Sequence, residues 1–428
     1  MCYFPPSLII SVGIERKNMD AIWEQLSQPL PPVGLDAREV VTPELRRQLA
    51  ARLADCEFEY RSEGRANIVF GIRDAGADAG TPNTWFGATL LRVPKTTPGA
   101  PLPCSYQDLQ RFREHEVEPA VGREFVVPQI LLLAGSGSSG DGEAEGGISE
   151  QLAARLNETR ARSPRSRKDG GAVQPGPALM LIQDMGATAA RPLALEFKPK
   201  WLAQSPIAPE NARRCRSCAR EARRNAKILA AAAAAAAESS SSDEEAVGGH
   251  HKKEEEEEEV QVTPPVCRLG LVHDDLTVFN ATVEALAPAT WSQSDRRRLA
   301  AALRHSGVLA RLHELQVAGD PPPSPPPPAG SELGAGSTLF ERPSDAAFGL
   351  AMTLRDCSCF VLMAAADGGE GSGAEEAIIR LADVDKKNWV HKQNYWQESH
   401  RRLVQEGWYA AQEDTPMETH CLLPLQKG

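Results

Sequence analysis

Residues 195–204 read LEFKPKWLAQ. Glu196, Lys198 and Lys200 alternate with Phe197 and Pro199, and in an extended segment a period of two sets the three charges on one side. Pro199 does not fit a helix interior; it suits the edge or the end of a strand. Two lysines side by side, with no acid between them, make a poor structural feature and a good clamp for an anion. The segment that follows, NARRCRSCAREARRNAKI (residues 211–228), carries seven cations and one acid, Glu221. As a helix it sets Arg216, Arg220 and Arg224 on one face, at i, i+4 and i+8. Three guanidiniums on one face repel one another, so that face faces solvent or meets something polyanionic.

Composition sets limits on this reading. A chain of 428 residues with 41% hydrophobic content has room for two or three lobes with a real core. Its 33 prolines and 34 glycines concentrate in a few segments, as insertions into a folded protein do. The net charge of −11 is local: residues 238–259 contribute −8, and the remainder is close to neutral with a basic patch. That balance does not fit a general nucleic-acid binder. Nine cysteines, odd in number and dispersed, read as reduced thiols of an intracellular protein. The apolar run SLIISVGI is too short for a membrane span and lacks the basic flank of a signal peptide.

Taken in order, the first forty residues are weakly patterned and read as an N-terminal extension. Residues 41–185 form an N-lobe. Thr42 caps a helix with Pro43 at its first position and Leu45, Leu49 and Leu53 as its buried stripe. EFEYRSEGRANIVFGI then reads as strand, tight loop, strand. The loop Glu63–Asn67, with Gly64, can bring backbone amides close to phosphates. WFGATLLRVPK is a third strand, and its cations Arg92 and Lys95 suit nucleotide phosphates. SYQDLQRFREHEVEPAVG is helical up to Pro119, with Ser105 as cap. EFVVPQILLLA is a buried strand, and residues 135–176 are a surface insertion with one short helix around SEQLAARLNETR. PALMLIQDMG is an apolar strand that leads out of the lobe, with Asp184 just past it.

Residues 186–428 form a larger C-lobe. Its basic helix extends into Ala230–Ala237, since alanine is the best helix former. Low-complexity insertions at 230–262 and 318–338 are expected to be disordered, the second as polyproline. SDRRRLAAALRHSGVLARLHELQ is helical. SDAAFGLAMTLRDCSCFVLMAA reads as helix, turn and buried strand, EEAIIRLADVDKKN as a strand ending in acids, and the tail from Asn388 as a long helix. Asp356 sits in the turn before one apolar strand; Asp383 and Asp385 end another. A carboxylate at a strand end, near cations that hold phosphate, is what a Mg²⁺ ion and a general base require. A glycine loop, strand cations, a lysine clamp, a basic helix and two such aspartates are together the inventory for phosphoryl transfer to a very anionic acceptor. Two alternatives stay open: a non-catalytic protein that binds RNA or another polyanion through residues 213–227, and a kinase for a different phosphate acceptor. Cys215 and Cys218 form a CxxC, but a lone CxxC is half a zinc site, and His250 and His251 fall in a low-complexity run. No zinc is expected on this reading.

YRSEGRANIVF, LLRVPK, LEFKPKW, CRSCAREARR, RDCSCFVLM and LADVDKK, in this order, resemble the inositol-pentakisphosphate 2-kinases, in particular the fungal form. EFKPK is similar to that family's EIKPK signature, and a CRxC follows at the family's spacing. The resemblance runs from Glu57 to the last helix, outside the insertions. It implies an α+β, two-lobed, kinase-like fold with ATP between the lobes. The implied reaction is phosphorylation of the 2-hydroxyl of inositol 1,3,4,5,6-pentakisphosphate to phytic acid, with Mg²⁺, by a monomer in the nucleus or cytoplasm; RARSPRSRK (160–168) has the makeup of a nuclear signal. By the same resemblance Gly64, Asn67, Arg92, Asp184 and Glu196 hold the nucleotide. Lys198 contacts the transferring phosphate and Asp356 is the catalytic base. Asp383 holds Mg²⁺, and Lys200, Arg216, Arg220, Arg224, Lys387 and Tyr395 hold the inositol phosphate. The chain departs from the family pattern at Ser62, where a glycine is usual, at Arg220 for histidine, at Arg268–Leu271 (RLGL for PLDL), at Val278 for a substrate arginine, and at His391 for the arginine of plant members.

Overall fold

The computed structural model of the protein describes residues 19–29, 41–75, 85–97, 104–133, 147–167, 169–241, 266–320, 346–365, 377–410 and 420–423. The expected disordered stretches, apart from the part of the first one up to residue 241 and residues 318–320 of the second, lie outside these residues. The chain is α+β and divides into two units. Unit 1 takes residues 1–110 and 126–185, and unit 2 takes residues 111–125 and 186–428.

Unit 1 is built on five strands. Helix α1 (Met19–Leu26) and helix α2 (Pro43–Ala54) precede β1 (Cys56–Glu63), β2 (Asn67–Asp74) and β3 (Thr89–Pro94). Helix α3 (Tyr106–Phe112) starts in this unit and runs through a π-helical turn, Arg113–Val117, into α4 (Glu118–Val121), both of which belong to unit 2. Strand β4 (Gln129–Leu133), helix α5 (Glu150–Ala161) and β5 (Ala178–Gln183) complete the unit's elements. The sheet is antiparallel at every pairing, in the order β1-β2-β3-β5-β4. Thr42 caps α2 as its chemistry predicts, accepting from the Leu45 N–H at 3.1 Å. Phe58 and Tyr60 are buried while Glu57 and Arg61 are exposed, the alternation of a half-buried strand.

Three expectations for this region are corrected. Residues 19–26 are no loose extension: Met19, Ile22, Trp23 and Leu26 are core residues, and the Trp23 Nε1–H donates to Thr89 Oγ1 at 3.0 Å. The stretch 135–176 is more than a surface insertion, since Ile148, Ala153, Leu156 and Val173 belong to the same core, and Arg155 donates to the carbonyls of Ala54 and Cys56. Pro119 does not end the helix before it. It sits in the first turn of α4, where its missing N–H costs nothing.

Unit 2 carries a three-stranded antiparallel sheet, β6 (Leu193–Phe197), β7 (Ser358–Met363) and β8 (Ile378–Ala382), in the order β6-β7-β8. Between β6 and β7 come α6 (Arg216–Ser241), α7 (Leu276–Leu286), α8 (Gln293–Ser306), α9 (Val308–Ala318) and α10 (Ala346–Leu354); α11 (Trp389–Gln405) follows β8. Helix α6 runs on through the alanines to Ser241, so residues 230–241 are helical rather than part of the disordered insertion. The segment read as one helix after Ser292 is two, broken at Gly307, whose φ of +67° only glycine adopts cheaply. The start of α6 packs with Leu269, Leu403, Trp408, Tyr409 and Leu423.

Candidate active site

The register of the small sheet decides which side chains meet. Phe197, the last residue of β6, lies opposite Cys359; Ser358, the first of β7, lies opposite Ala382, the last of β8. In an antiparallel sheet these three positions share one end. Lys198 therefore leaves β6, Asp356 precedes β7 and Asp383 follows β8 at the same place. The Lys198 ammonium donates to the Asp356 carbonyl at 3.0 Å and lies 3.3 Å from Asp383 Oδ2. Lys200 Nζ is 3.2 Å from Asp356 Oδ1, and Lys387 Nζ is 3.2 Å from Asp356 Oδ2 and 3.9 Å from Asp383 Oδ1. Three ammoniums thus surround two carboxylates that are each 45% exposed. The lysines of the clamp have acidic partners after all, supplied by residues far along the chain.

The backbone at this site is costly. Lys200 (φ +57°) and Asp383 (φ +56°) both lie in the left-handed region, and they are the non-glycine residues there among the described ones. Such a conformation costs on the order of 1 kcal/mol or more and persists only where surroundings enforce it. Gln316 of α9, fully buried, is one enforcer: its Nε2 donates to the Lys200 carbonyl and its Oε1 accepts from the Leu202 N–H, both at 2.9 Å. Arg355, next to Asp356, is another. Its guanidinium lies 3.8 Å over the Trp201 ring and donates to the Gln316 carbonyl at 2.9 Å and to Asp320 at 2.6 Å. Sequence reasoning missed both, because a lone Gln in an apolar helix and an Arg beside an Asp look ordinary until their partners are known.

Electrostatics mark the site as short of negative charge. Burial works to raise the Asp356 carboxyl, but Lys387, Lys200 and Lys198 outweigh it and hold it at about 2. Burial lowers Lys200; Asp356 offsets part of this, while Lys198 and Arg220 push it lower. Lys387 goes the other way, raised by Asp383, Asp356 and Asp385 against the cost of its burial. Arg216 is disfavoured by burial and by Arg220, with Tyr409 and Tyr395 acting in its favour. Arg220 and Tyr395, both exposed, are therefore within electrostatic reach of this group.

The arginine face does not act as one unit. Arg216 is buried, with Nη1 3.1 Å from His400 Nδ1 and 3.4 Å from the Tyr409 hydroxyl, and with its guanidinium over Trp201. Burial first, and Arg216 second, push the His400 imidazole down to about 4, so Nδ1 is a neutral acceptor for the arginine. Arg220 is exposed, while Arg224 is mostly exposed and pairs with Glu221 at 3.5 Å. Glu196 is exposed on β6, opposite Phe360.

In unit 1 the β1–β2 turn is closed by Gly64 N–H to the Asn67 carbonyl at 2.9 Å, and the Lys95 N–H binds the Ala66 carbonyl at 2.8 Å. With its amide oxygen turned toward Arg92, Asn67 accepts from Nη2 at 2.6 Å and donates to the Tyr106 hydroxyl at 2.9 Å. A side chain at Gly64 would meet nothing within 4 Å, so the fold itself does not demand glycine there. Asp184 follows β5, its N–H bound to the Ala88 carbonyl at 2.9 Å. Lys95 is no phosphate ligand. Its ammonium is fully buried against Glu63 at 2.9 Å and Asp169 at 2.6 Å, and Arg160 joins the same acids at 3.0 and 3.5 Å. That use of Arg160 also removes it from the basic run 160–168.

The zinc reading needs correction as well. Cys215 and Cys218 are joined in space by Cys267 and Cys421, so the CxxC is not alone. His250 and His251 lie outside the described residues. A separate cavity of about 550 Å³ in unit 2 is lined by Asp274, Arg304, His313 and Glu314 among others; its mixed signs suit a polyanion poorly.

A family model for inositol-pentakisphosphate 2-kinase matches residues 60–321 and 336–402. The chain belongs to the inositol-pentakisphosphate 2-kinase family. An inositol-pentakisphosphate 2-kinase of Yarrowia lipolytica is 26% identical over 229 residues, 54% of this chain and 56% of that relative. The chain thus matches little more than half the length of this curated member of the family. The family match includes every candidate residue named above, from Gly64 to Tyr395, whereas Cys421 lies beyond it.

Proposed function

We propose that this protein transfers the terminal phosphoryl group of ATP to the 2-hydroxyl of inositol 1,3,4,5,6-pentakisphosphate, giving inositol hexakisphosphate and ADP. The observation that carries this reading is the convergence of Lys198, Lys200 and Lys387 on Asp356 and Asp383 at one end of the β6-β7-β8 sheet. Five phosphates bring on the order of ten negative charges, and an acceptor of that kind supplies what three lysines, Arg220 and Arg216 lack. In this reading the two units are the lobes of a kinase-like fold. Gly64, Asn67, Arg92, Asp184 and Glu196 are the residues proposed for the nucleotide. A glycine that the fold does not need leaves room for a phosphate to approach the backbone.

The 2-hydroxyl oxygen attacks the terminal phosphorus, the bond to the bridging oxygen of ADP breaks, and the hydroxyl proton passes to Asp356. Held at about 2, the Asp356 carboxylate is ionised throughout the physiological range and orients the hydroxyl as acceptor. It is a weak base, which suffices where the transition state is loose and proton transfer comes late. Lys198 neutralises the transferring phosphate, while Lys200, Lys387, Arg220 and Tyr395 hold the ring phosphates. Arg224 extends the same face outward. The Asp383 carboxylate, half-exposed and hard in character, fits Mg²⁺ together with water and phosphate oxygens. Bound there, the ion would supply charge neutralisation to the phosphates of ATP. Reduced thiols, with all eight cysteines among the described residues free, suit an intracellular enzyme. Among the described residues no helix is long and apolar enough to cross a membrane.

The test is turnover of the purified chain with ATP, Mg²⁺ and inositol 1,3,4,5,6-pentakisphosphate, with the ring position of the product read by phosphorus NMR. A new phosphate at the axial 2-position is expected. A different ring position would reassign the acceptor, and no turnover alongside tight RNA binding would return the basic helix to the polyanion-binding alternative.

A further inference from the structure

Helix α9 buries Val308, Leu309, Leu312 and Gln316, and the first three are aliphatic. A fully buried amide in that company costs stability unless its donor and its acceptor are both used. Here both go to one short stretch of backbone, the Lys200 carbonyl and the Leu202 N–H. Strand β6 ends at Phe197, so the small sheet pairs neither group. The glutamine side chain stands in for a neighbouring strand at the point where the chain turns left-handed, at Lys200.

The same residue is tied to the proposed base. The Gln316 carbonyl accepts from Arg355 Nη2 at 2.9 Å, and Arg355 directly precedes Asp356. Arg355 is itself buried and anchored at Asp320, at 2.6 Å. Between the two backbone groups that Gln316 holds lies Trp201, buried, with the Arg355 guanidinium 3.8 Å and the Arg216 guanidinium 5.0 Å from the centre of its ring. One residue of α9 therefore fixes the backbone of Lys200 through its side chain and the neighbour of Asp356 through its carbonyl. The Lys200 ammonium and the Asp356 carboxylate meet at 3.2 Å from these two anchored points.

We infer that Gln316 is a positioning residue for the phosphate acceptor: it holds Lys200 left-handed, and so sets where the Lys200 ammonium stands relative to Asp356. Its kinetic consequence rests on the proposed function; its geometric consequence does not. Without the two hydrogen bonds, Lys200 is free to leave φ +57° for the ordinary range near about −60°. That rotation redirects either the lysine stem or the chain that follows it, and the ammonium loses its place beside Asp356. Gln316 touches no substrate; its effect on the acceptor passes through Lys200.

The test is Gln316→Met, which keeps about the same volume and removes both side-chain hydrogen bonds. The KM for inositol 1,3,4,5,6-pentakisphosphate is expected to rise about tenfold, as the loss of one or two hydrogen bonds allows, while the KM for ATP stays within about twofold. Added to Lys200→Ala, the same substitution is expected to raise the acceptor KM by less than about twofold further, because the two act through one group. A full additional tenfold rise in that background, or equal changes in both KM values, would overturn the inference. A crystal structure of Gln316→Met decides the geometry whatever the reaction is. Lys200 is expected outside the left-handed region, and a Lys200 unchanged in φ and still on Asp356 would sink the idea. Absence of turnover in the wild type would remove the proposed function and leave this structural result standing. Should Gln316→Met fail to fold, Lys200→Gly and Lys200→Ala decide in its place. Glycine adopts a positive φ freely and alanine does not, so Lys200→Gly is expected to melt higher than Lys200→Ala. Equal melting would mean that nothing holds this position left-handed.

Discussion

Two groups of lysines and carboxylates, one in each unit, use the same chemistry to opposite ends. In unit 1, Lys95, Arg160 and, at 3.7 Å, Arg167 meet Glu63 and Asp169, and the Lys95 and Glu63 side chains are 0% and 1% exposed. In unit 2, Lys198, Lys200 and Lys387 meet Asp356 and Asp383, with one cation in excess and both carboxylates half-exposed. Distances do not separate the two groups; both run near 3 Å. Exposure and backbone conformation do. A buried network with relaxed backbone closes the β1–β2 turn. A half-exposed one resting on two left-handed residues is the group that the proposed function assigns to an anionic ligand.

The contrast can be tested by breaking each group in turn. The largest effect is expected from Lys198→Ala, which should lower kcat by about 10²–10³-fold, the usual loss when one donor to developing charge is removed. Thermal unfolding should hardly move. A melting temperature that falls with activity would make the unit 2 group structural, like its counterpart. Lys95→Met should do the reverse, costing roughly 3 kcal/mol of stability by leaving Glu63 and Asp169 undercompensated. Activity per folded molecule should stay within a few-fold; chemical denaturation and steady-state kinetics read the two quantities separately.

Beside Arg216, His400 offers a pH test. Its folded-state value of about 4 lies below the ordinary 6.5, so protonation favours the unfolded chain. Its contribution is therefore complete above about pH 6.5 and is lost as pH falls toward 4, by at most about 3 kcal/mol. Denaturation of the wild type and of His400→Asn across that window should show the steeper loss in the wild type, and equal slopes would mean that His400 does not hold Arg216 as a neutral acceptor. The smallest effect is expected from Gly64→Ala. Stability should change by under about 0.5 kcal/mol, as at an unconstrained surface site, while the KM for ATP rises several-fold. An unchanged KM would detach that turn from the nucleotide.

Local chemistry was legible in the sequence wherever it sufficed. Thr42 and Pro43 opened α2, the alternation of Phe58 and Tyr60 marked β1, and alanines carried α6 onward. LEFKPK and the strand-end aspartates marked the unit 2 cluster because three short apolar strands can bring their ends together in few ways. What stayed hidden depended on partners remote in sequence. Met19 and Trp23 gave too short a pattern for a helix to be read until β3 covered them. Lys95 looked like a cation for nucleotide phosphates until Asp169, 74 residues on, was placed beside it. Gln316 and Arg355 act on backbone geometry, which leaves no trace in residue spacing. Half of the thiol cluster lies 52 and 206 residues from Cys215, too far for any spacing rule.

The three-stranded sheet also sets where this chain can change length. Lys198, Asp356 and Asp383 all emerge at one end of it, and a slip of one residue in β8 against β7 would turn Asp383 to the opposite face. The connection from Met363 to Ile378 leaves from the other end, as far from the aspartates as the strands allow. Residues can be gained or lost in that connection over generations without disturbing the register, whereas the links into Lys198, Asp356 and Asp383 tolerate no such drift. The sheet divides its two ends into one that lineages are free to vary and one that they must keep to the residue.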